Sequence, residues 1–153
     1  MDSLKIHLQK KEEKKELKIK YYGNFLIKPS YELTLVATQQ IIQKGIELAL
    51  EKKINLSIAV TDKSGILINF IRMDGAALVN IDVAIKKAKS AAYLNSPSKL
   101  FEDFINEGLT SMLSTPNILP LQGGMPIYYK DNLIGAIGIS GSDGDTDQSI
   151  AKY

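Results

Sequence analysis

The amino-acid sequence predicts an α+β fold in which an antiparallel sheet of about five strands is covered by helices. Two observations indicate this class. Neighbouring apolar runs of strand length are joined by a short turn at two places, which is typical of β-hairpins. Segments with helical apolar spacing lie before the first hairpin and between the two hairpins. Because helices do not separate the strands one by one, a doubly wound parallel sheet is excluded.

The first half of the predicted domain is a helix followed by a hairpin. Residues 34–53 have apolar positions at helical spacing without an internal proline, and Thr34 is the predicted N-cap. Residues 55–60 are predicted to form a buried strand. Residues 66–73 are its predicted partner, because the sequence TDKSG between the two runs favours a turn.

Two helices and a further strand are predicted next. Asn80 is the predicted cap of an alanine-rich helix. A second helix is predicted to begin at Pro97, with Ser96 as its cap, and to end at Gly108. We expect residues 119–122, or the segment just before them, to supply the fifth strand of the sheet.

The closing hairpin is the clearest local signal in the chain. Residues 127–129 and 134–137 are apolar and flank Asp131 and Asn132, two residues that tolerate the positive φ of a tight hairpin turn. The glycine-rich sequence GISGS follows at residues 138–142. Its glycines allow another part of the molecule, or a ligand, to approach the backbone closely.

The residues after this glycine-rich sequence are acidic. Asp143, Asp145 and Asp147 would repel a phosphate, so the sequence does not favour a nucleotide site there. Asp145 or Asp147 is instead the predicted N-cap of a last helix that stops at Tyr153 after barely one turn.

Length and composition indicate one globular domain. The 153 residues are 44% hydrophobic and 24% charged, which is typical of a soluble protein with a real core. No apolar run approaches the length of a membrane span, and the N-terminus carries no signal-peptide pattern, so we expect a cytoplasmic protein. Because cysteine is absent, disulfides, thiolate metal sites and cysteine nucleophiles are excluded.

Positive charge is concentrated at the start of the chain. The first twenty residues contain seven lysines and four acidic residues, and the remainder is close to neutral. We therefore expect no nucleic-acid partner. Residues 1–30 are predicted to be a lysine-rich N-terminal extension, partly flexible or forming an added hairpin, and residues 31–153 are predicted to be the main domain.

Four motifs occur in an order that resembles a known family. They are RMDGA at residues 72–76, DVA followed by KAKSA within residues 82–91, LP followed by GGMP within residues 119–126, and GAIGISG at residues 135–141. These motifs resemble the GlcG/HbpS family, which includes the C-terminal domain of PduO-type corrinoid adenosyltransferases, over roughly residues 33–151. The resemblance implies a profilin-like or PAS-like domain that forms homo-oligomers, and it makes haem the first ligand to test, since several relatives bind it. The chain departs from the family in its lysine-rich extension and its short last helix.

The charged motif residues are the first candidates for ligand binding. Arg72 ends an apolar strand, where its guanidinium could grip a propionate or another carboxylate, and Asp74 and Lys87 lie in the motifs that follow. Alternatively, Arg72 pairs with Asp74 or Asp82, and the lysines at 87 and 89 lie on a solvated helix face. The other predicted ligand-binding residues are small residues of the motifs, which allow a ligand to approach the backbone closely. They are Gly123, Gly124, Gly138 and Ser140.

Candidate metal ligands are few, and none has a distinctive context. His7, the one histidine, lies in the extension, outside the region of resemblance. Tyr93, Met73 and Met125 are the other candidate haem ligands, although such residues commonly serve packing. No Ser-His-Asp arrangement and no recognisable metal-ligand spacing occurs, so we assign no catalytic residue.

The sequence therefore leaves three hypotheses open. The leading one is a homo-oligomeric domain that binds a small ligand, with haem or another tetrapyrrole as that ligand. The second is an auxiliary enzyme acting on a small metabolite that carries a carboxylate or phosphate. The third is a structural or assembly protein that uses the lysine-rich extension as its contact.

Overall fold

The computed structural model describes residues 28–153. Within this range Tyr31–Tyr153 forms one compact unit. The predictions made for the extension, including a hairpin and the role of His7, fall outside the described residues. The elements are, in chain order, α1 (Leu35–Lys52), β1 (Ser57–Asp62), β2 (Leu67–Arg72), α2 (Val79–Leu94), α3 (Lys99–Asn106), a 3₁₀ turn (Thr110–Ser114), β3 (Gly124–Tyr129), β4 (Asn132–Ser140) and α4 (Gly144–Ala151).

The sheet is antiparallel and has the strand order β2-β1-β4-β3, which confirms the α+β class and the presence of both hairpins. The predicted turn of the closing hairpin is wrong by one residue, because Lys130 and Asp131 have the positive φ angles and Asn132 already pairs with Tyr129. It contains four strands among the described residues, so the predicted fifth strand at residues 119–122 is wrong. The backbone N–H of Leu119 donates to the Ser90 hydroxyl, and that of Gln122 donates to the Glu102 carboxylate. These backbone groups are therefore satisfied by helix side chains instead of by a neighbouring strand.

One face of the sheet, which we call the α1 face, carries the large apolar core. Ile58 and Val60 of β1 pack there with Ile137 and Ile139 of β4. Helices α1 and α4 supply the covering residues, which include Ile42, Ala49 and Ile150. The predicted cap of α1 is confirmed, because the Thr34 hydroxyl accepts a hydrogen bond from the N–H of Ala37.

The opposite face, which we call the α2 face, is built from small residues. Ala59 of β1 packs against Ala84 and Ala88 of α2. A Cβ added to Gly138 of β4 would overlap the carbonyl oxygen of Ala84, so the helix backbone rests almost directly on the strand. Helix α2 extends across β1, β4 and β3. The edge strand β2 is left largely uncovered on this face.

Three predicted caps are wrong, and the structure gives the physical reason for the last one. Helix α2 begins at Val79 without a side-chain cap, and α3 begins at Lys99, later than predicted from Pro97. Helix α4 is capped by Asp143, whose carboxylate accepts from the N–H of Thr146 and whose pKa is lowered by these hydrogen bonds. Asp147 cannot cap the helix, because its side chain is buried inside the domain. The helix has eight residues, about two turns instead of barely one.

Candidate functional site

Lys87 is buried in an ion pair, contrary to the predicted solvated position. Its ammonium donates to Oδ2 of Asp147 at 2.8 Å and to the carbonyl oxygen of Ile139 at 2.9 Å. The two charged side chains are 4% and 1% exposed. The second oxygen of Asp147 accepts from the N–H of Ser142 at 3.0 Å. The pair therefore ties α4 to α2 and β4, and the structure brings neither group to the surface.

Burial dominates the electrostatics of this pair. It raises the pKa of the Asp147 carboxyl above its ordinary value, although the hydrogen bond and charge of Lys87 act to lower it. Lys87 therefore stabilises the ionised form of the Asp147 carboxyl group, which burial disfavours. This arrangement is typical of a structural ion pair.

The predicted glycines lie beside the same helix. A Cβ at Gly124 would overlap the carbonyl oxygen of Lys87, and one at Gly123 would lie 2.9 Å from the Lys87 ammonium. Gly123 also has a φ of 113°, which favours glycine. The close backbone approach predicted for these residues is thus made to α2.

Ser140 is also buried at the α2 face. Its hydroxyl lies 3.2 Å from Oδ1 of Asn80, in the first turn of α2. Gly138 and Gly124 contact the backbone of α2 at Ala84 and Lys87, so three of the four sequence motifs meet at one interface between helix and sheet.

Arg72 and Asp74 are on the surface. Arg72 ends β2 directly opposite Ser57 of β1 and is exposed. Within the described part of the chain it makes no ion pair, so the alternative in which it pairs with Asp74 or Asp82 is wrong. Its guanidinium is free to bind an anion.

The α2-face side of β2 lies beside one flank of α2, and together they form a surface with Arg72 at one end. Its floor is the uncovered face of β2, where Phe70 and Arg72 occupy alternate positions of the strand. Its wall is Ile85, Lys89 and Tyr93, which recur every fourth residue on α2 and therefore share one flank. We call these five residues the β2 groove.

The groove is apolar in the middle and has one cationic side chain toward each end, Arg72 and Lys89. Phe70 and Ile85 are half-buried and pack against the alanines of the α2 face. At the far end from Arg72, the Lys89 ammonium lies 5.3 Å from the ring centre of Tyr93. The turn at Gly65 closes this end, because a Cβ there would lie 2.9 Å from the Tyr93 ring.

The candidate iron ligands are separated by the sheet. Met73 and Met125 pack against the core of the α1 face, on the side away from the groove. Tyr93 is 48% exposed in the groove wall. No group of three or more histidine, cysteine, aspartate or glutamate side chains that could hold a metal ion occurs in residues 28–153.

The β2 groove has side-chain types that a tetrapyrrole would require. The apolar pair Phe70 and Ile85 would contact a porphyrin ring, the cations of Arg72 and Lys89 would suit its propionates, and Tyr93 would offer a phenolic oxygen. Reasoning from sequence missed Phe70 and Ile85 altogether. The spacing of Ile85, Lys89 and Tyr93 could have shown the wall, but only knowledge of the strand order could have placed β2 beside it.

Comparison with known proteins identifies the fold and its relatives. The family model described as haem degrading protein HbpS-like matches residues 33–153. Protein GlcG of Escherichia coli K12 is 36% identical over 100 residues, which are 65% of this chain and 75% of that protein. No described helix has the length and apolar character needed to cross a bilayer.

Two solved structures show the same architecture. A double mutant of HbpS from Streptomyces reticuli is 29% identical, with a TM-score of 0.75 over 85% of this chain and 89% of that one. The PduOC complex with haem is 26% identical, with a TM-score of 0.72 over 80% and 91% of the two chains. The resemblance deduced from the four motifs is confirmed, and the chain belongs to the HbpS-like family.

Proposed function

We propose that this chain binds haem, or another tetrapyrrole with carboxylate side chains, in the β2 groove. The observation that carries the proposal is the combination of a strand face that α2 does not cover with an exposed Arg72 at its end, which makes no ion pair within residues 28–153. Such a surface suits a flat apolar ligand with an acidic edge. A family member crystallised with haem makes haem the first ligand to test.

Each part of the groove has a separate role in this proposal. Phe70 and Ile85 contribute apolar contact, which supplies most of the affinity for a large planar ring. Arg72 and Lys89 orient the carboxylates, because a guanidinium offers paired donors and an ammonium a point charge. Iron in the bound group would bring ligand exchange and redox chemistry.

Titration of the purified protein with haemin tests the proposal. We expect a saturable shift of the Soret band in the wild type. Arg72→Ala should weaken haemin binding about threefold to tenfold, as expected for a partly exposed charge contact. Ile85→Glu, which places a carboxylate in the groove wall, should weaken it further.

Lys52→Ala is the matched control, since Lys52 is an exposed lysine in the last turn of α1. It should bind haemin as the wild type does. Absence of a Soret shift beyond that of a non-binding protein would refute haem binding. Equal affinity of wild type, Arg72→Ala and Ile85→Glu would refute the groove as its location.

We also propose that the chain forms a homo-oligomer in the cytoplasm. Strand β2 pairs with β1 alone among the described strands, so within residues 28–153 its outer edge has no partner strand, and a second copy could pair there. Native mass spectrometry would report the number of subunits and any retained ligand together. A monomer at micromolar concentration would contradict the oligomer and leave the groove proposal intact.

A further inference from the structure

We propose that Asn69 is a gate on the outer edge of β2, and that a second copy of the chain pairs its own β2 with this edge when the Asn69 side chain turns away. The inference rests on the proposed homo-oligomer and makes its interface specific. It does not depend on haem binding.

The register of the sheet decides which backbone groups of β2 point outwards. The N–H of Met73 donates to the carbonyl oxygen of Leu56, so these two residues form a hydrogen-bonded pair. Such pairs alternate along an antiparallel ladder, and Asn69 and Ile71 therefore also direct their backbone groups at β1. The backbone groups that point away from the sheet belong to the residues in between, which are Ile68, Phe70 and Arg72.

The central outward N–H of this edge is covered by a side chain. Oδ1 of Asn69 accepts from the N–H of Phe70 at 2.9 Å. Nδ2 of Asn69 donates at 3.2 Å to the hydroxyl oxygen of Thr38, a fully buried residue of α1. The Thr38 hydroxyl in turn donates to the carbonyl oxygen of Leu35 at 2.7 Å. Both ends of the Asn69 amide are thus held, and the middle of the β2 edge is closed to another strand.

The opposite edge of the sheet, at β3, is closed without a movable side-chain amide. The N–H of Ile139 donates to the carbonyl oxygen of Gly123, so the outward backbone groups are those of Gly124 and Pro126. The Ser98 hydroxyl accepts from the N–H of Gly124 at 2.9 Å, and the Ser98 N–H donates to the Gly124 carbonyl oxygen at 3.0 Å. Pro126 has no N–H to offer. Strand pairing between copies therefore leaves β2 against β2.

Pairing of β2 with β2 gives a closed dimer. A two-fold axis at the centre of the edge places Phe70 opposite Phe70 of the second copy, and Ile68 opposite Arg72 of the second copy. Residues paired in this way exchange backbone hydrogen bonds. The contact uses the same surface of both copies, so it ends at two subunits instead of growing into a fibre. The N–H of Phe70 joins it only after leaving Asn69.

Self-association is measured by native mass spectrometry and analytical ultracentrifugation. Asn69→Ala should lower the dissociation constant of the dimer about fivefold, since pairing no longer sacrifices a hydrogen bond. Ile68→Lys should raise it about tenfold, because the new ammonium faces Arg72 of the second copy at two symmetric places. Adding Arg72→Glu to Ile68→Lys should restore pairing to within about threefold of the wild type, because the facing charges become opposite.

The gate itself is measured at one amide, in the Ile68→Lys background that keeps the protein monomeric. Hydrogen exchange followed by NMR should show the Phe70 amide exchanging about fivefold faster when Asn69→Ala is added. Asn69→Asp keeps an acceptor oxygen and should retain the protection. Asn132→Ala is the matched control, because the Asn132 amide donates to the carbonyl oxygen of Lys130 in the β3–β4 turn. It should change neither the exchange of Phe70 nor the subunit number.

The outcomes separate the gate from the proposed homo-oligomer. Unchanged Phe70 exchange and an unchanged dissociation constant in Asn69→Ala would overturn the inference. If the wild type, Asn69→Ala and Ile68→Lys assemble equally, the homo-oligomer stands but uses another surface, and the inference fails. If the wild type is a monomer while Asn69→Ala forms a dimer that Ile68→Lys abolishes, the proposed homo-oligomer fails and the gate is supported.

Discussion

Replacing Lys87 by methionine should destabilise the domain severely. Methionine conserves most of the aliphatic volume of lysine but removes the ammonium that donates to Asp147 and to the carbonyl oxygen of Ile139. The carboxylate, only 1% exposed, is then left without its charged partner. Breaking a buried pair in this way costs about 3–5 kcal/mol. That is a large part of the free energy of unfolding of an ordinary domain, about 5–15 kcal/mol.

Urea denaturation followed by circular dichroism measures this loss. Lys44→Met is the matched control, because Lys44 forms a surface pair with Glu47 in which both side chains are half exposed. It should cost no more than about 0.5 kcal/mol. The double variant Lys87→Met/Asp147→Asn should be more stable than the sum of the two single variants predicts, by about 2 kcal/mol.

The loss of stability in Lys87→Met should also depend on pH. Burial raises the pKa of Asp147. In the pH range just above the ordinary aspartate pKa, the native state therefore binds more protons than the unfolded state. Stability contributed by this group therefore falls as pH rises through that range. Removing Lys87 raises the pKa of Asp147 further. The difference in free energy of unfolding between the wild type and Lys87→Met should therefore shrink as the pH is lowered from neutral towards the range in which ordinary carboxyl groups titrate. A deficit below about 1 kcal/mol at neutral pH, or strict additivity in the double variant, would refute the reasoning.

Three further substitutions test the fold. Gly138→Ala should lower the free energy of unfolding in urea by about 3 kcal/mol or more, because its Cβ would overlap the carbonyl oxygen of Ala84. Gly108→Ala is the control, because Gly108 lies in open space at a φ of 94°, and it should cost about 1–2 kcal/mol. Equal costs would contradict the close contact at Gly138. Ser98→Ala should cost about 2 kcal/mol, since its buried hydroxyl donates to the carbonyl oxygen of Leu121 and accepts from the N–H of Gly124 at the start of β3, and an unchanged stability would be inconsistent with these bonds. Asp143→Asn should make stability less sensitive to acid, because the lowered pKa of Asp143 gives stability that is lost as pH falls below about 3.9, the ordinary aspartate value; parallel acid titrations of both proteins would contradict this.

The sequence was most informative where a local pattern decides the structure. The two hairpins and the cap at Thr34 follow from turn residues and from a hydroxyl at a helix start. The start of α4 was placed too late, because three alternating aspartates all suit an N-cap. The structure uses Asp143 as the cap, leaves Asp145 exposed in the first turn and buries Asp147.

The candidate site depends on long-range contacts that local patterns do not contain. Lys87 follows Ala84 by three residues and precedes Ala91 by four, so its spacing alone places it on the buried face of α2. Its partner is sixty residues away along the chain, and this separation hid the pair. Similarly, Arg72 was identified from its motif, but the groove beside it requires the knowledge that α2 leaves β2 uncovered.

The near contact between the backbones of α2 and β4 has a consequence for ligand exchange. Because Gly138 leaves no room for a side chain between helix and strand, close packing holds α2 at a short distance from β4 and β1, and this fixes the position of the flank that carries Tyr93. A groove with such fixed walls is preorganised, so a ligand need not spend binding energy on shaping it. Substitutions in its lining should therefore change how long a ligand stays more than how fast it arrives.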